Sequence, residues 1–316
     1  MQYSSILLIV SLAFVKGADV DKKFLFMDSA LNSADFPVVG DLLIPELLKQ
    51  LGLDTLYSLV NKAGLTATLS GTGPFTLFAP TNDALSNLPA WVKKAVSNVT
   101  ILADVLEYHV LAGSVKSSAL ANELLVDTVL PGKKLRINLY DKQGTTVATA
   151  QCAPIDLSRV DQAATNGIVH VLNGVMLPPA GNIVQVLVEC PKFTTLVTAV
   201  KAAGLVNALS SDGPFTLFAP TDKAFKKLPP QVLDNLLKNV TALTRVLEYH
   251  VVAGTFCSAG LFNSDVPTLA KDTVKIEING GKVTVNNARV LVADGSVTNG
   301  VVHAIDQVLL PPNLVG

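Results

Sequence analysis

The sequence predicts an α+β protein built from two copies of one unit. The nine residues GPFTLFAPT occupy positions 73–81 and return at positions 213–221. Ahead of this stretch, apolar residues recur at three- and four-residue steps, the pattern of an amphipathic helix. Further along each copy they alternate with polar residues, the pattern of strands. Helices in the first half of each copy and strands in the second predict an α+β unit with a sheet core.

The first 17 residues predict a secretory signal peptide, and residues 18–39 a lead segment before the first unit. Positions 6–15 form an apolar run interrupted only by Ser11, which is too short to cross a bilayer comfortably. No later stretch approaches 18 consecutive apolar residues, and the C-terminal LLPPNLVG lacks the hydrophobic tail of a lipid anchor. We therefore predict a secreted protein with neither a transmembrane segment nor a lipid anchor.

The repeated nine-residue stretch predicts a corner between a strand and a helix. A preceding helix through Leu56 and Val60 is expected to end at Gly64, because glycine supports a left-handed cap. Residues 75–78 predict a short strand covered on both faces, and Thr81 is expected to cap the next helix. Since each residue has a structural role available, we interpret the stretch as architecture and not as a ligand loop.

The second half of each unit carries two further repeated motifs. VLEYHV occupies 105–110 and 246–251, while TNGIVH at 165–170 matches TNGVVH at 298–303, and Leu-Pro-Pro follows each. The tyrosine and the asparagine of these motifs are 58 residues apart in the first copy and 50 in the second. We place the extra residues in a hairpin around 141–144. In the second copy, KIEINGGKVTVN predicts two strands joined at 279–281.

Composition and motifs exclude several functions. Hydrophobic residues make up 49% of the chain and charged residues 16%, so each unit can bury a large core. The formal net charge of -1 argues against a nucleic-acid partner, because no basic stripe attracts phosphates. There is no serine nucleophile elbow, P-loop, dinucleotide glycine pattern or paired set of metal ligands. We therefore predict no enzymatic activity, no cofactor and no metal site.

Taken in order, the three motifs resemble the fasciclin-domain family of extracellular adhesion proteins. They occur twice and cover about residues 40 to 313. Within the family they are most similar to the branch of periostin and the transforming-growth-factor-β-induced protein (keratoepithelin), in a shortened two-domain form. The resemblance implies two tandem fasciclin domains, at 40–179 and 180–313. Each is expected to be a β-wedge or sandwich with packed helices.

The resemblance also implies candidate receptor contacts at matched positions of the two copies. One pair is an aspartate five residues ahead of the TNG asparagine, and the other is a Tyr-His pair with aliphatic flanks. These candidates are Asp161, Asp294, Tyr108, His109, Tyr249 and His250. For the aspartates, the alternative is an ordinary turn residue that bonds its own backbone. For the Tyr-His pairs, the alternative is a buried role with fixed hydrogen bonds.

All four histidines of the chain fall at matched positions, His109 with His250 and His170 with His303. Two histidines per unit invite a metal interpretation, but zinc needs three or four ligands with recognisable spacing, and none is present. We therefore expect each imidazole to make fixed hydrogen bonds near the core.

Two glycosylation acceptors lie at equivalent positions, Asn98-Val99-Thr100 and Asn239-Val240-Thr241. Passage through the secretory pathway makes their modification chemically accessible. The alternative is an asparagine at a helix end followed by a capping threonine. We predict a glycan on at least one of the two copies.

The chain has three cysteines, Cys152, Cys190 and Cys257. In an oxidising compartment they allow one disulfide and leave one thiol over. The sequence leaves all three pairings open.

These features predict a secreted protein that acts in cell adhesion, in the extracellular matrix or in cell-surface recognition. Its expected partners are integrin-like receptors, matrix proteins or glycans, and weak self-association is a further expectation. Two linked modules would gain avidity from weak contacts. The alternative function is an extracellular carrier that holds a small apolar ligand in a groove between helices.

Overall fold

The computed structural model describes residues 42–312 and residue 314. The predicted signal peptide at 1–17 and the lead segment at 18–39 lie outside the described residues. From Leu42 onward, the chain forms two successive units with the same order of helices and strands. No helix in the described part of the chain is long and apolar enough to cross a bilayer.

The first unit begins with six helices, interrupted by the first strand, and continues with seven more strands. The helices are α1 Ile44–Gln50, α2 Asp54–Lys62, α3 Thr66–Leu69, α4 Asn82–Ser86, α5 Ala90–Ala95 and α6 Val99–Tyr108. The strands are β1 Phe75–Pro80, β2 Val110–Ala112, β3 Leu124–Asp127, β4 Lys134–Lys142, β5 Thr145–Ala150, β6 Ala153–Pro154, β7 Gln162–Ala164 and β8 Gly167–Leu172. One-turn 3₁₀ helices lie at Ser117–Ala119 and Leu157–Arg159.

The second unit repeats this order. Its helices are α7 Ile183–Glu189, α8 Thr194–Ala202, α9 Val206–Ser210, α10 Asp222–Phe225, α11 Pro230–Lys238 and α12 Val240–Tyr249. Its strands are β9 Phe215–Pro220, β10 Val251–Ala253, β11 Ser264–Pro267, β12 Thr273–Asn279, β13 Lys282–Val285, β14 Ala288–Val297 and β15 Gly300–Ile305. A 3₁₀ helix lies at Ser258–Gly260.

The strands of the first unit form two four-stranded sheets, in the orders β2-β1-β8-β7 and β3-β4-β5-β6. In the second unit, one seven-stranded sheet runs β10-β9-β15-β14-β13-β12-β11. The difference arises because β14 continues from one half to the other through register shifts between Val290 and Gly295. In the first unit, the 3₁₀ helix at Leu157–Arg159 separates β6 from β7. The predicted α+β architecture is confirmed.

Each unit buries two apolar cores, one on either side of its central strand. In the first unit, Leu77 faces the core under α2 and α6, whereas Phe78 faces the core under the β3-β4-β5-β6 sheet. Leu217 and Phe218 divide in the same way in the second unit. The prediction that this strand is covered on both faces is therefore confirmed.

The predicted corner and turns are also found. The Thr81 hydroxyl accepts a hydrogen bond from the backbone N–H of Ala84 at 3.2 Å and so caps α4. Gly64 follows α2 with a φ of 73°, the left-handed value expected after a helix end. The predicted hairpins are β4-β5 and β12-β13, and the first of them is the longer.

The TNG motif is closely packed against its neighbours in each unit. The side chain of Asn166 accepts a hydrogen bond from Ile44 N at 3.1 Å and donates to the carbonyls of Leu69 and Gly71 at 2.7 and 2.9 Å. The adjacent Gly167 lies so close to β1 that a Cβ there would collide with the Phe75 carbonyl. The repeated motifs therefore meet in one corner that ties α1 and α3 to the central sheet.

Candidate functional site

Asp161 lies in an exposed loop that the fold holds in a fixed shape. Its φ of 53° is left-handed, which a short polar residue such as aspartate tolerates. The carboxylate accepts hydrogen bonds from Ser117, one from the backbone N–H at 2.8 Å and one from the hydroxyl. The Asp161 N–H donates to His170 Nδ1 at 3.2 Å, and His170 Nε2 donates to the Val115 carbonyl at 2.8 Å. Asp161 is thereby held in place through both its side chain and its backbone.

Asp294 has the same geometry in the second unit. Its φ is 60°, and its carboxylate accepts from the backbone N–H of Ser258 at 2.7 Å and from the Ser258 hydroxyl. His303 accepts from Asp294 N at 3.2 Å and donates to the Phe256 carbonyl at 2.8 Å. The expectation of fixed hydrogen bonds for His170 and His303 is confirmed. We call these two segments the aspartate loops: Asp161 directly precedes β7, and Asp294 lies in β14 at the register shift between Val292 and Gly295.

The two aspartate loops differ in their surroundings. Asp161 is exposed to solvent, and although partial desolvation opposes it, the hydrogen bonds from Ser117 lower the pKa of its carboxyl below the usual value. Asp294 is only partly exposed, and burial raises the pKa of its carboxyl above the usual value, against the opposing effect of His303. The Asp161 carboxylate is therefore the more available of the two for an external partner.

The Tyr-His pairs lie in the core. Tyr108 and His109 have no exposed surface, and Tyr249 and His250 are 3% and 1% exposed. The Tyr108 hydroxyl donates to the Lys134 carbonyl at 2.9 Å, and the Tyr249 hydroxyl makes the matching bond to Thr273 at 2.8 Å. These tyrosines tie a helix end to strand β4 in the first unit and to strand β12 in the second. In the folded domain they present almost no surface that a receptor could contact.

Both nitrogens of each core imidazole are used by the backbone. His109 Nδ1 donates to the Val105 carbonyl at 2.7 Å, and its Nε2 accepts from Met176 N at 3.0 Å. His250 makes the equivalent bonds to Val246 and Leu309. This arrangement requires the neutral ring, and burial lowers the pKa of both histidines to about 4. Fixed hydrogen bonds were expected for this pair too, and that prediction is confirmed.

Cys152 and Cys257 form a disulfide that joins the two units, 105 residues apart in sequence. Cys190 is a free, half-buried thiol. Among the described residues, one group of three metal-type ligands comes together, formed by Cys152, Cys257 and Asp294, whose ligand atoms lie within 4.8 Å of one another. The disulfide consumes two of these three ligands, so the bonded form offers no metal site there.

A charged network lies beside the disulfide at the contact between the units, which we call the domain junction. Arg136 on β4 donates to the Glu123 carboxylate at 2.8 Å, and the same carboxylate accepts from the Thr255 backbone N–H at 2.7 Å. Arg136 also donates to the Thr298 carbonyl at 3.3 Å. The Arg136 side chain is only 6% exposed, so the ion pair of Arg136 and Glu123 is largely removed from water. The charge-assisted hydrogen bonds of the guanidinium group therefore fix the orientation of the Glu123 carboxylate.

Neutral hydrogen bonds extend the domain junction. The Tyr140 hydroxyl donates to the Thr255 carbonyl at 2.8 Å and accepts from Cys257 N at 3.0 Å. Burial raises the pKa of the Tyr140 phenol, so it remains a donor. Gln151 Nε2 donates to the Ser296 hydroxyl at 2.7 Å.

The domain junction was not identified from the sequence, although the sequence contains a signal for it. Gln151 accepts a hydrogen bond from Arg136 N, and Asn286 accepts one from Lys275 N, which makes these positions equivalent in the two units. Residues that hold the junction are thus replaced in the other copy. Residues that are identical in the two copies mostly pack inside each unit. Arg136, whose equivalent in the second unit is Lys275, is a residue at which the copies differ, and it lies where the two units are in contact.

The two glycosylation acceptors cap exposed helix ends. Asn98 Oδ1 accepts from Thr100 N at 2.9 Å, and Asn239 Oδ1 accepts from Ala242 N at 3.1 Å. Both asparagines are exposed. Because capping uses Oδ1 and a glycan would be joined to Nδ2, the two roles are compatible at one side chain.

An apolar cavity lies where the carrier hypothesis expected a groove, between helices α2, α3 and α6 and strand β1. It is lined by residues such as Leu56, Leu69, Phe75 and Leu106. Its volume is about 20 Å³, which is roughly the room needed for one water molecule. A lipid or pigment would therefore fit in this cavity only if helices α2, α3 and α6 moved apart.

Comparison with known proteins agrees with this architecture. The sequence model that defines the fasciclin domain family matches residues 51–178 and 191–311, one match to each unit. The chain belongs to the fasciclin-domain family.

Several curated proteins are similar to most of the chain. The transforming growth factor-beta-induced protein ig-h3 of Oryctolagus cuniculus is 34% identical over 278 residues, which are 83% of this chain and 40% of that protein. Periostin of Homo sapiens is 33% identical over 278 residues, 83% of this chain and 32% of its own length. The chain therefore spans well under half the length of these relatives.

Shorter and structural relatives are also found. Protein sll1483 of Synechocystis is 44% identical over 170 residues, 53% of this chain and 88% of that protein. A solved FAS1 domain pair from the insect cell adhesion molecule fasciclin I aligns with 85% of this chain and 100% of its own, at 21% identity and a TM-score of 0.41.

Proposed function

We propose that the chain is a secreted recognition protein that acts in cell adhesion or matrix contact, and that it is not an enzyme. The observation that carries this is the Asp161 loop, which offers an exposed carboxylate held in one shape by Ser117 and His170. Preorganised loops on a rigid scaffold are where binding residues concentrate. The similarity to the transforming growth factor-beta-induced protein and periostin supports an extracellular setting.

The disulfide supports the same setting. Disulfides persist in secreted and extracellular proteins and are rare in reducing compartments. The bond between Cys152 and Cys257 is therefore expected of a chain that folds in the secretory pathway. Exposure of Asn98 and Asn239 further supports modification with N-linked glycans there.

The partner we propose is an integrin-like receptor that holds a divalent cation. The Ser117 hydrogen bonds leave lone pairs free on the Asp161 carboxylate, and a hard cation prefers carboxylate oxygen. The low pKa of this carboxyl keeps it ionised at physiological pH. Matrix proteins and glycans are the competing partners, and neither requires a cation supplied by a receptor.

The test is attachment of cells to surfaces coated with the secreted protein, with and without EDTA. We expect Asp161→Asn to abolish cation-dependent attachment. Asp127→Asn is the matched control, because Asp127 is also exposed and its ion pair with Lys134 contributes little at the surface. Attachment that is unchanged by Asp161→Asn, or that resists EDTA, would rule out the carboxylate model.

Glycosylation is tested separately by the mass of the secreted protein before and after glycosidase treatment. We expect a loss of mass that is smaller in Asn98→Gln or Asn239→Gln and absent in the double variant. A mass that glycosidase leaves unchanged would refute the proposal. Weak self-association stays a prediction, to be measured by sedimentation over a range of protein concentrations.

A further inference from the structure

We propose that the domain junction is a redox-sensitive lock that covers the second aspartate loop. This inference rests on the proposed recognition role of the first. Reducing the disulfide between Cys152 and Cys257 would let the units separate, and the Asp294 loop would then become as accessible as the Asp161 loop. The locked chain would present one recognition loop and the unlocked chain two.

The first support is the unequal exposure of two loops with the same internal geometry. Asp161 and Asp294 each bond a serine through the carboxylate and a histidine through the backbone N–H. Asp161 faces solvent, whereas a carboxylate oxygen of Asp294 lies within 4.8 Å of both sulfurs of the disulfide. The domain junction therefore lies directly against Asp294 and limits access to it.

The second support is the polar character of the domain junction. It is built from the Glu123–Arg136 pair, the Tyr140 hydroxyl and the bond between Gln151 and Ser296. Water can satisfy each of these groups once the units part, so separation does not expose an apolar core. Polar contacts of this kind between domains permit relative motion unless something else restrains it. Here the covalent bond is that restraint.

The third support is a defined hinge. Lys133 Nζ donates to the Pro179 carbonyl at 2.8 Å, which fixes that residue to the first unit. Thr298 N donates to the Gly181 carbonyl at 2.9 Å, which fixes that residue to the second unit. The connection passes from one unit to the other within two residues, at Ala180. Rotation there would swing one unit away from the other, at the cost of the contact that half-buried Ala180 makes with the helix-side core of the second unit.

The chemistry of unlocking is thiol–disulfide exchange with a dithiol. A thiolate of the dithiol attacks the sulfur of Cys152, which is half-buried, while Cys257 is fully buried and leaves as the thiolate. The second thiol of the reagent then displaces Cys152 from the mixed disulfide. Two electrons and two protons pass to the protein, which gains two thiols, and the reagent becomes a cyclic disulfide.

The experiment is hydrogen–deuterium exchange of the full chain, read on peptides that cover 255–260 and the 151–153 turn. The unlocked form is the double variant Cys152→Ser with Cys257→Ser, and the matched control is Cys190→Ser, which removes a thiol that is in no disulfide. We expect exchange in these peptides to rise by about tenfold or more in the double variant only, with peptides of the apolar cores of both units unchanged. Wild-type protein treated with a dithiol should behave in the same way.

Two results would overturn the inference. The first is unchanged exchange at the domain junction in the double variant, which would mean that the non-covalent contacts suffice to hold the units together. The second is loss of the native circular dichroism spectrum in the double variant, because the disulfide would then be part of folding and not a separable lock.

Attachment measurements distinguish this inference from the proposed function. In the locked protein, Asp161→Asn alone should abolish attachment. In the double serine variant, Asp161→Asn should leave residual attachment, which Asp294→Asn should then remove. If Asp161→Asn has no effect on the locked protein, the proposed function fails, while the exchange experiment still decides whether the lock exists.

Discussion

Acid should destabilise this protein through two buried histidines, and the size of the effect can be worked out from their contacts. His109 and His250 are held neutral, because one ring nitrogen of each accepts a backbone hydrogen bond and neither ring is solvated. Their pKa is lowered from 6.5 in the unfolded chain to about 4 in the folded one. Below pH 6.5 the two histidines therefore bind protons in the unfolded chain but stay neutral in the folded chain.

The sign and size of the effect depend on that difference. Above pH 6.5 the two states bind the same number of protons at these rings, so the full stability is present. As the pH falls from 6.5 towards 4, the unfolded state gains protons first and stability is lost. A shift of about 2.5 pKa units corresponds to about 3 kcal/mol for each histidine. Each unit contains one such ring, so both units should weaken over the same pH range.

The assay is urea unfolding at pH 7.5, 6 and 4.5, followed by circular dichroism. With a urea slope of about 2 kcal/mol per molar, we expect the midpoint to fall by more than about 1 M across this range. Replacing His109 by Gln should lower stability at neutral pH and flatten the acid dependence of the first unit. An NMR titration in which either imidazole changes charge near pH 6.5 in the folded protein would refute the reasoning.

Other changes test the packing argument. Replacing Asn166 by Ala removes three hydrogen bonds at the motif corner and should cost about 3 kcal/mol or more, measured by urea unfolding. Gly167→Ala should leave the first unit unfolded by circular dichroism, because its Cβ would overlap the Phe75 carbonyl. Phe78→Ala should cost about 3–5 kcal/mol, because that ring is fully buried under the second sheet. Asp127→Asn should change the unfolding free energy by less than about 1 kcal/mol, because its ion pair is exposed.

Much of the fold was predictable because the same sequence motifs occur in both units. The internal repeat identified the central strand, the cap at Thr81, the left-handed glycine after α2 and both hairpins. Periodicity then gave the type of each element. These features depend on neighbours in sequence, so a single chain is sufficient to find them.

The sheet topology was less accessible, because strand order is set by contacts distant in sequence. The parallel pairing of β1 with β8 brings Phe75 beside Gly167, although 92 residues separate them. Nor did the alternation of residues in β14 indicate that one strand would bridge both halves of the second unit. Its continuity depends on register shifts, which polarity patterns do not encode.

Of the candidate site residues, the aspartates were better predicted than the Tyr-His pairs. The family resemblance implied the Tyr-His pairs as receptor contacts, and both copies share them, but shared residues in a duplicated fold are mostly those that pack. Burial of Tyr108 and His109 illustrates this. The aspartate loops were also shared, yet only their surroundings show that one is open and the other covered.

The contact between the two units joins two different faces of the repeated fold, because Cys257 corresponds to Lys116 of the first unit and not to Cys152. If both faces were present on each copy, such a contact could add further copies head to tail. Here the anchors are present once. Cys152 and Arg136 belong to the first unit, where the second has Asn287 and Lys275 at the equivalent positions. Divergence at a few surface positions therefore converts a repeated fold into a pair with a single defined junction, and a disulfide at that junction fixes which loops of the pair are available to a partner.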